Sequence, residues 1–281
     1  YFQKQYENDI IKNNDEEKTK QLKKLVTPFI LRRNKKEVLT ELPDKIEQNI
    51  ILPFNDEEEK LYVANLAKAN KELQELYDLE GSDKMQILKM LTRLRQLCLE
   101  PRLVYDNIDQ PSSKLKACME LIKTMQENKQ KVLLFSSFTS VLDLIAEECQ
   151  KAGITYYMLT GSTNKEDRRE LVSRFQKDDT TVFLISLKAG GTGLNLTSAE
   201  AVIHFDPWWN VSAQNQATDR AYRIGQKNNV QVFNLVMKDS VEEKIIELQK
   251  RKKELADMFV ENNSGGLSQM SKEDILSLFT M

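Results

Sequence analysis

The 281-residue chain has few of the residues that build metal sites, disulfide frameworks or strongly basic surfaces. It contains one histidine, His204, and three cysteines that lie far apart with no Cys-x-x-Cys pair. These counts argue against a zinc site and for a reducing, intracellular compartment. The net charge is only −2, so any contact with nucleic acid must come from local patches.

Long apolar runs and an N-terminal signal segment are also missing. No apolar stretch approaches the roughly 20 residues of a membrane span, and no charged-then-apolar segment opens the chain, so we expect no membrane association. The first residue is Tyr1 rather than methionine, and we therefore expect the chain to be a fragment. Its 40% hydrophobic residues are enough for a packed core.

Short apolar strands alternate regularly with amphipathic helices from Val132 onward. Strands of this kind, separated by helices, are typical of a parallel sheet that is covered on both faces. We therefore expect an α/β fold of the RecA-like type, whose last interstrand helix runs through Ile224 and whose tail is a charged helix after Val241. The predicted strands cover residues 132–135, 156–159, 182–185, 202–205 and 230–236, with an edge strand in 46–54.

The stretch that organises the chain is QATDRAYRIGQ at residues 216–226. At about 100° per residue, Gln216, Arg220 and Arg223 share one helical face. Guanidinium groups offer planar donors that match phosphate oxygens, so a converging pair can neutralise the charge on a phosphoryl group in transfer. The alternative from spacing alone is a surface helix whose arginines pair with acids such as Asp219.

Two further segments precede this stretch, namely SLKAGGTGLNL at residues 186–196 and DPWWN at 206–210. The ordered set resembles the second motor lobe of the SWI/SNF-type DNA-dependent ATPases, a branch of the superfamily-two helicases. In that family the segment at 186–196 corresponds to motif five, the segment at 206–210 follows it, and the segment at 216–226 corresponds to motif six. RNA helicases of the Asp-Glu-Ala-Asp type carry a His-Arg-x-Gly-Arg pattern at motif six instead, so the match is specific.

The LRQLCLEPRL run at residues 94–103 resembles the family signature that closes a helical protrusion of this lobe. It departs from the signature at Leu99 and Glu100, where Asn and His are usual, so we assign these two positions no role. The resemblance implies four regions: the end of the first lobe's helical part, a linker strand with the helical protrusion, the RecA-like lobe, and a helical tail. They correspond to residues 1–45, 46–111, 112–240 and 241–281.

The resemblance also implies that ATP binds in the cleft between two lobes. Arg220 and Arg223 would reach its γ-phosphate, while Gln216, Gly191 and Gly193 would lie against the nucleotide. The glycine run matches neither a phosphate loop nor a dinucleotide fingerprint. The chain contains no Gly-Lys-(Ser/Thr) motif, so we expect ATP and Mg²⁺ to be held mainly by the absent first lobe and this chain to be inactive alone.

Several small and basic residues follow predicted strands, at the edge where ligands bind in open α/β sheets. The SSFT run at 136–139 resembles motif four, although Ser137 and Thr139 would also suit ordinary helix capping. The LTGSTNKEDR run at 159–168 resembles the next DNA-strand contact, where Arg169 is an alternative to Arg168. By resemblance, the residues that contact the DNA backbone are Ser136, Ser137, Thr139, Gly161, Arg168, Ser186, Lys188 and Trp209; we expect Trp208 and His204 to pack in the core.

We therefore expect the C-terminal lobe of an ATP-driven translocase on double-stranded DNA that remodels protein–DNA complexes. Its partners would be duplex DNA, ATP, the N-terminal lobe of the same protein, and RNA polymerase or another DNA-bound protein. The alternatives are a lobe of a strand-separating helicase and a non-enzymatic interaction lobe. Enrichment in lysine, isoleucine and asparagine hints at an AT-rich bacterial genome and a cytoplasmic, nucleoid-associated location; a eukaryotic source would imply the nucleus.

Overall fold

The computed structural model describes residues 16–26, 42–78, 84–190, 194–259 and 278–279. It divides into two compact units, one of Leu42–Gln249 with Gly265–Met281 and the other of Tyr1–Glu41 with Lys250–Ser264. In the second unit the structure describes helix α1, Glu16–Val26, and the last turns of the final helix. No helix in the described ranges is long and apolar enough to cross a membrane.

The larger unit is built on a six-stranded sheet in the order β1-β6-β5-β2-β4-β3, and every neighbouring pair is parallel. The strands are β1 Lys45–Leu52, β2 Val132–Ser136, β3 Tyr156–Leu159, β4 Val182–Ser186, β5 Ala201–His204 and β6 Val230–Met237. The helices are α2 Asp56–Asp78, α3 Lys84–Leu99, α4 Ser113–Glu127, α5 Thr139–Lys151, α6 Lys165–Phe175, α7 Leu187–Gly190, α8 Val211–Thr218 and α9 Val241–Phe259.

The central strands are buried on both faces because apolar side chains follow one another without a polar alternate. In β2, Val132 and Leu134 face a core that α4 and α5 cover. Leu133 and Phe135 point the other way, into a core closed by α6, the 194–199 loop and α8. Since successive side chains of a strand point to opposite faces, one apolar strand serves both layers. The predicted parallel α/β fold of RecA-like type is confirmed.

A third core joins α2, α3 and the start of α9. Tyr62 and Leu66 from α2 pack there with Leu91 and Leu94 from α3, and Ile245 adds the first turns of α9. The helical protrusion expected from the sequence therefore shares one core with the beginning of the tail helix.

Two buried carboxylates connect these layers. Glu242 at the start of α9 accepts two hydrogen bonds of 2.7 Å from Lys114 Nζ, and both side chains are almost completely buried. Glu100, a position without a role in the sequence analysis, accepts from the backbone amide of Ser112 at 2.9 Å and from Arg102 at 3.1 Å. It therefore joins the end of α3 to the start of α4.

Candidate nucleotide and nucleic-acid site

The carboxyl end of the sheet carries a buried carboxylate, Asp206, which is separated from the end of β5 by Phe205 alone. Its Oδ1 accepts from Ser136 Oγ at 2.8 Å and from the Ser137 backbone amide at 2.9 Å. Its Oδ2 accepts from Ser137 Oγ and, at 2.8 Å, from Arg95 Nη2 of the protrusion helix α3. We call Arg95, Ser136, Ser137 and Asp206 the Asp206 cluster. It ties the ends of β2 and β5 to the helical protrusion.

This cluster changes the interpretation of the two serines. Ser136 is fully buried, so its hydroxyl holds Asp206 and is not available to a ligand in this arrangement. Ser137 is half-buried and also directs its hydroxyl to Asp206. That these two side chains contact DNA stays a prediction. The burial of Ser136 argues against such a contact from its hydroxyl. The serines instead shape the loop that leads into α5.

Thr139 is the first residue of α5, and its side chain is exposed. The residue before the helix is Phe138, and no side chain caps the helix there. The capping role considered for Ser137 and Thr139 is therefore wrong, because the serine hydroxyl is turned toward Asp206. The first amides of a helix lack intrahelical acceptors and favour negative charge. This end of α5 remains compatible with the predicted phosphate contact.

Two tryptophans follow Asp206, and both are half-buried. Trp208 packs against the core on the α8 face of the sheet, in agreement with the expectation. Trp209 packs against the helical core. The guanidinium carbon of Arg95 lies 5.8 Å from the Trp208 ring centroid and 5.7 Å from that of Trp209. Trp209 therefore packs against the helical protrusion, while part of its surface is exposed to solvent.

The remaining candidates follow β3 and β4, which are neighbouring strands of the sheet. Gly161 is exposed, and a Cβ built there would meet no atom within 4 Å, so space is open for close approach. Arg168 is half-buried on α6, Arg169 is exposed beside it, and Lys188 is exposed on α7. The two arginines and the lysine therefore offer positive charge after these strands.

Ser186 is buried, and its hydroxyl accepts from the Ala189 amide at 3.4 Å, so it supports the first turn of α7. Ser186 pairs in register with Ser136 on β2. Gly191 and Gly193, predicted to approach the nucleotide, lie outside the described residues.

The segment with the two candidate arginines differs from the prediction. Helix α8 ends at Thr218 and does not continue through Ile224. The chain goes on in tighter turns, in which the Arg220 amide donates to the Ala217 carbonyl and the Arg223 amide to the Ala221 carbonyl. The prediction that Gln216, Arg220 and Arg223 share one helical face is therefore wrong. We call residues 219–226 the arginine turn.

Two features that helical periodicity does not predict explain why α8 ends at Thr218. The Thr218 hydroxyl shares a hydrogen bond of 2.9 Å with His204 Nε2 and lies 3.3 Å from the Gln214 carbonyl. Gly225 has a φ of +100°, which other residues rarely adopt, and it closes the turn. The contact with His204 fixes the end of α8 over the last residue of β5.

The arginine turn is also fastened to the 194–200 loop. The Leu196 amide donates to the Arg220 carbonyl at 3.0 Å. The buried Gln226 donates through Nε2 to the carbonyls of Ala199 at 2.8 Å and Ala221 at 3.2 Å. Gln226, whose role its place in the motif does not reveal, therefore holds the backbone of the turn.

The two arginine side chains stand in different settings. Arg220 is half-buried, Arg223 is exposed, and Gln216 is exposed on α8. The pKa of Arg220 is lowered, first by burial and then by the positive charge of Arg223. The Asp219 carboxylate acts in the opposite direction and raises the pKa. Arg220 and Arg223 belong to the same turn although they do not share a helix. An anion bound by both would offset the repulsion between their positive charges.

His204 is buried, as expected, and burial lowers its pKa to about 4. It stacks on Phe135 with ring centroids 5.7 Å apart. It therefore acts as a neutral packing and hydrogen-bonding residue near neutral pH. Among the described residues, no group of three or more His, Cys, Asp or Glu side chains is arranged to hold a metal ion.

A six-stranded parallel sheet with layers on both faces, and with an arginine turn beside the loop that follows β4, is the arrangement of a RecA-like lobe of the helicase type. Residues 113–225 match the helicase conserved C-terminal domain, and residues 1–103 match the SNF2-related domain. The chain belongs to the SNF2-related, SWI/SNF-type family and contains its C-terminal lobe.

The relatives extend well beyond this chain. It is 37% identical over 270 residues to an uncharacterized ATP-dependent helicase of Mycoplasma pneumoniae, covering 94% of this chain and 26% of that protein. It is 36% identical to the putative ATP-dependent helicase/translocase YwqA of Bacillus subtilis, covering 100% of this chain and 31% of that protein. The chain thus spans less than a third of the length of these curated relatives.

Among solved structures, the SWI2/SNF2 ATPase core of Sulfolobus solfataricus in complex with double-stranded DNA is similar to this chain. The TM-score is 0.68 at 31% identity, and the match covers 99% of this chain and 59% of that chain.

Proposed function

We propose that this chain is the C-terminal lobe of an ATP-driven translocase on double-stranded DNA that remodels protein–DNA complexes. The observation that carries the proposal is the arginine turn, in which a half-buried and an exposed arginine belong to one turn that is hydrogen-bonded to the 194–200 loop. Two cations in one turn suit a polyphosphate better than a metal ion.

In this proposal Arg220 and Arg223 act as arginine fingers. ATP, bound with Mg²⁺ mainly by the N-terminal lobe, supplies the γ-phosphoryl group for transfer. The guanidinium groups neutralise the charge that develops on that group. The exposure of Arg223 supports this role, because a finger must reach a nucleotide held by another lobe. Gln216, Gly191 and Gly193 stay proposed as nucleotide contacts.

The DNA side of the proposal rests on exposed groups near strand ends. Thr139, Gly161 and Lys188 are exposed, and Arg168 and Trp209 are partly so. They offer a hydroxyl, open backbone, cations and a ring, which are contacts to the sugar-phosphate backbone rather than to base edges. We therefore expect weak sequence preference and steep salt dependence of binding. The similarity to a SWI2/SNF2 core in complex with double-stranded DNA supports this partner.

A second candidate is a strand-separating helicase, since the Mycoplasma pneumoniae relative bears the name helicase. A third is an interaction lobe without catalysis. The remodelled partner, RNA polymerase or another DNA-bound protein, and the nucleoid or nuclear location are parts of the same proposal.

The test compares the full-length protein with this 281-residue chain in ATP hydrolysis assays, with and without duplex DNA. We expect duplex-stimulated hydrolysis from the full-length protein, no hydrolysis from the chain alone, and no unwinding of a fluorescently labelled partial duplex. Unwinding coupled to hydrolysis would favour the strand-separating helicase. Absence of hydrolysis in the full-length protein with DNA present would favour the interaction lobe.

A further inference from the structure

Arg95 occupies an unusual place on helix α3. Its neighbours Leu91, Leu94 and Cys98 are buried in the helical core, as the spacing of an amphipathic helix requires. Arg95 lies beside that apolar face, and its side chain is only 8% exposed. Burying a guanidinium is costly unless it is paired and hydrogen-bonded, so its partners determine what it does.

The partners of Arg95 all lie at the carboxyl end of the sheet. Its Nη2 donates to Asp206 Oδ2 at 2.8 Å, to Ser137 Oγ at 3.0 Å and, more weakly, to the Pro207 carbonyl at 3.4 Å. Asp206 in turn accepts from the Ser137 amide at 2.9 Å. One side chain of the protrusion thus fixes the loops after β2 and β5 together.

Three aromatic rings enclose the same guanidinium. Its carbon lies 5.0 Å from the ring centroid of Phe138, 5.8 Å from Trp208 and 5.7 Å from Trp209. These distances are within the range of cation–π attraction. Phe138 immediately precedes Thr139, and Trp209 is itself a proposed DNA contact. Arg95 therefore touches the segments that carry two separate proposed contacts.

The ion pair gives Arg95 a structural role as well, because removing one member of a buried pair leaves the other charge, here Asp206, without its counter-charge. Stability alone therefore does not distinguish a positioning role from a structural one. A methionine would fill the space between the rings, but it would not orient Asp206 or hold the Ser137 hydroxyl. The specific effect of the guanidinium is the orientation of these groups.

We propose that Arg95 is a positioning residue that holds the 137–139 loop and Trp209 in the geometry required for binding duplex DNA. The proposal rests on the proposed function of the lobe and adds a task for the helical protrusion. Arg95 itself need not touch DNA, since its hydrogen bonds and ring contacts are made within the protein. Its effect reaches DNA through Thr139 and Trp209.

The experiment measures DNA-stimulated ATP hydrolysis and duplex binding of the full-length protein with Arg95→Met, Arg95→Lys and a matched control, Arg93→Met. Arg93 lies on the same helix and contacts Asn65 and Tyr105 of the helical region. For Arg95→Met we expect the DNA concentration for half-maximal stimulation to rise about tenfold. The kcat at saturating DNA and the KM for ATP should stay within about twofold of wild type.

The salt dependence separates positioning from direct contact. The slope of log Kd against log salt should be unchanged in Arg95→Met, because no phosphate contact is removed. A slope reduced by about one charge would mean that Arg95 itself binds a phosphate, and it would overturn the proposal. Arg95→Lys should restore part of the affinity, since a lysine keeps the charge for Asp206 but lacks the planar fork. Arg93→Met should bind DNA as wild type does.

The chain's own fluorescence reports on the site, because its two tryptophans are the residues that flank Arg95. In the 281-residue chain we expect Arg95→Met to shift the tryptophan emission, and Arg93→Met to leave it unchanged. Wild-type DNA affinity in a folded Arg95→Met protein would overturn the proposal. If that variant does not fold, wild-type affinity in Arg95→Lys would do so. Failure of the wild-type protein to bind duplex would instead reject the proposed function.

Discussion

The Asp206 cluster and the arginine turn use similar side chains in opposite settings. In the cluster, Arg95 and Asp206 are almost completely buried, and both carboxylate oxygens accept hydrogen bonds. In the turn, the backbone is fastened through Leu196 and Gln226, whereas Arg223 is exposed. A charge that is satisfied within the protein fixes geometry, whereas a charge that is left at the surface is available to a ligand or another lobe. The lobe contains both kinds.

The largest expected effect on stability comes from removing the carboxylate of the Asp206 cluster. Asp206→Ala should lower the free energy of unfolding by about 3–5 kcal/mol, because it leaves the buried Arg95 guanidinium without its carboxylate. Urea denaturation of the 281-residue chain measures this. Arg223→Ala is the matched control and should stay within about 0.5 kcal/mol of wild type, as expected for an exposed side chain. Equal losses in the two variants would contradict the contrast.

A smaller effect concerns His204, which links the two regions through Thr218. Its pKa in the folded chain is about 4, whereas in the unfolded chain it is about 6.5. Below about pH 6.5 the unfolded chain takes up a proton that the folded chain does not, so stability is fully present above that pH and falls as the pH is lowered toward 4. At about pH 5 the loss should be about 2 kcal/mol.

The measurement is urea denaturation at about pH 7.5 and about pH 5, for wild type and His204→Gln. The chain has no other histidine, so the substitution should remove most of the loss between these two pH values. An equal loss in both proteins would show that His204 is not the group responsible.

The parallel sheet and its strand bounds were predictable from the sequence because they depend on local periodicity. Apolar runs such as Val132–Ser136 leave few alternatives to a strand buried on both faces. The end of α8 was not predictable in this way. It depends on the contact between Thr218 and His204, which the fold brings together, and on a positive φ at Gly225.

The candidate site shows the same limit. The motifs predicted Arg220, Arg223 and Trp209 as site residues, which stays a prediction, but they gave no sign of the partners of Asp206. Arg95 is 111 positions away from Asp206 in the chain, and no periodicity links residues so far apart. The signal that was present is an arginine in an otherwise leucine-rich helical run, close to Leu94 and Leu97, which are both buried. Such a residue needs a buried partner.

The central claim is that the arginine turn completes an ATP site that another lobe begins. Its most direct test is the kcat of DNA-stimulated ATP hydrolysis by full-length Arg223→Ala, with ATP affinity measured separately and Lys227→Ala as a nearby exposed control. We predict a fall of about 10³-fold in kcat, ATP affinity within about threefold of wild type, and normal turnover in the control. Near-normal turnover of Arg223→Ala would contradict the claim.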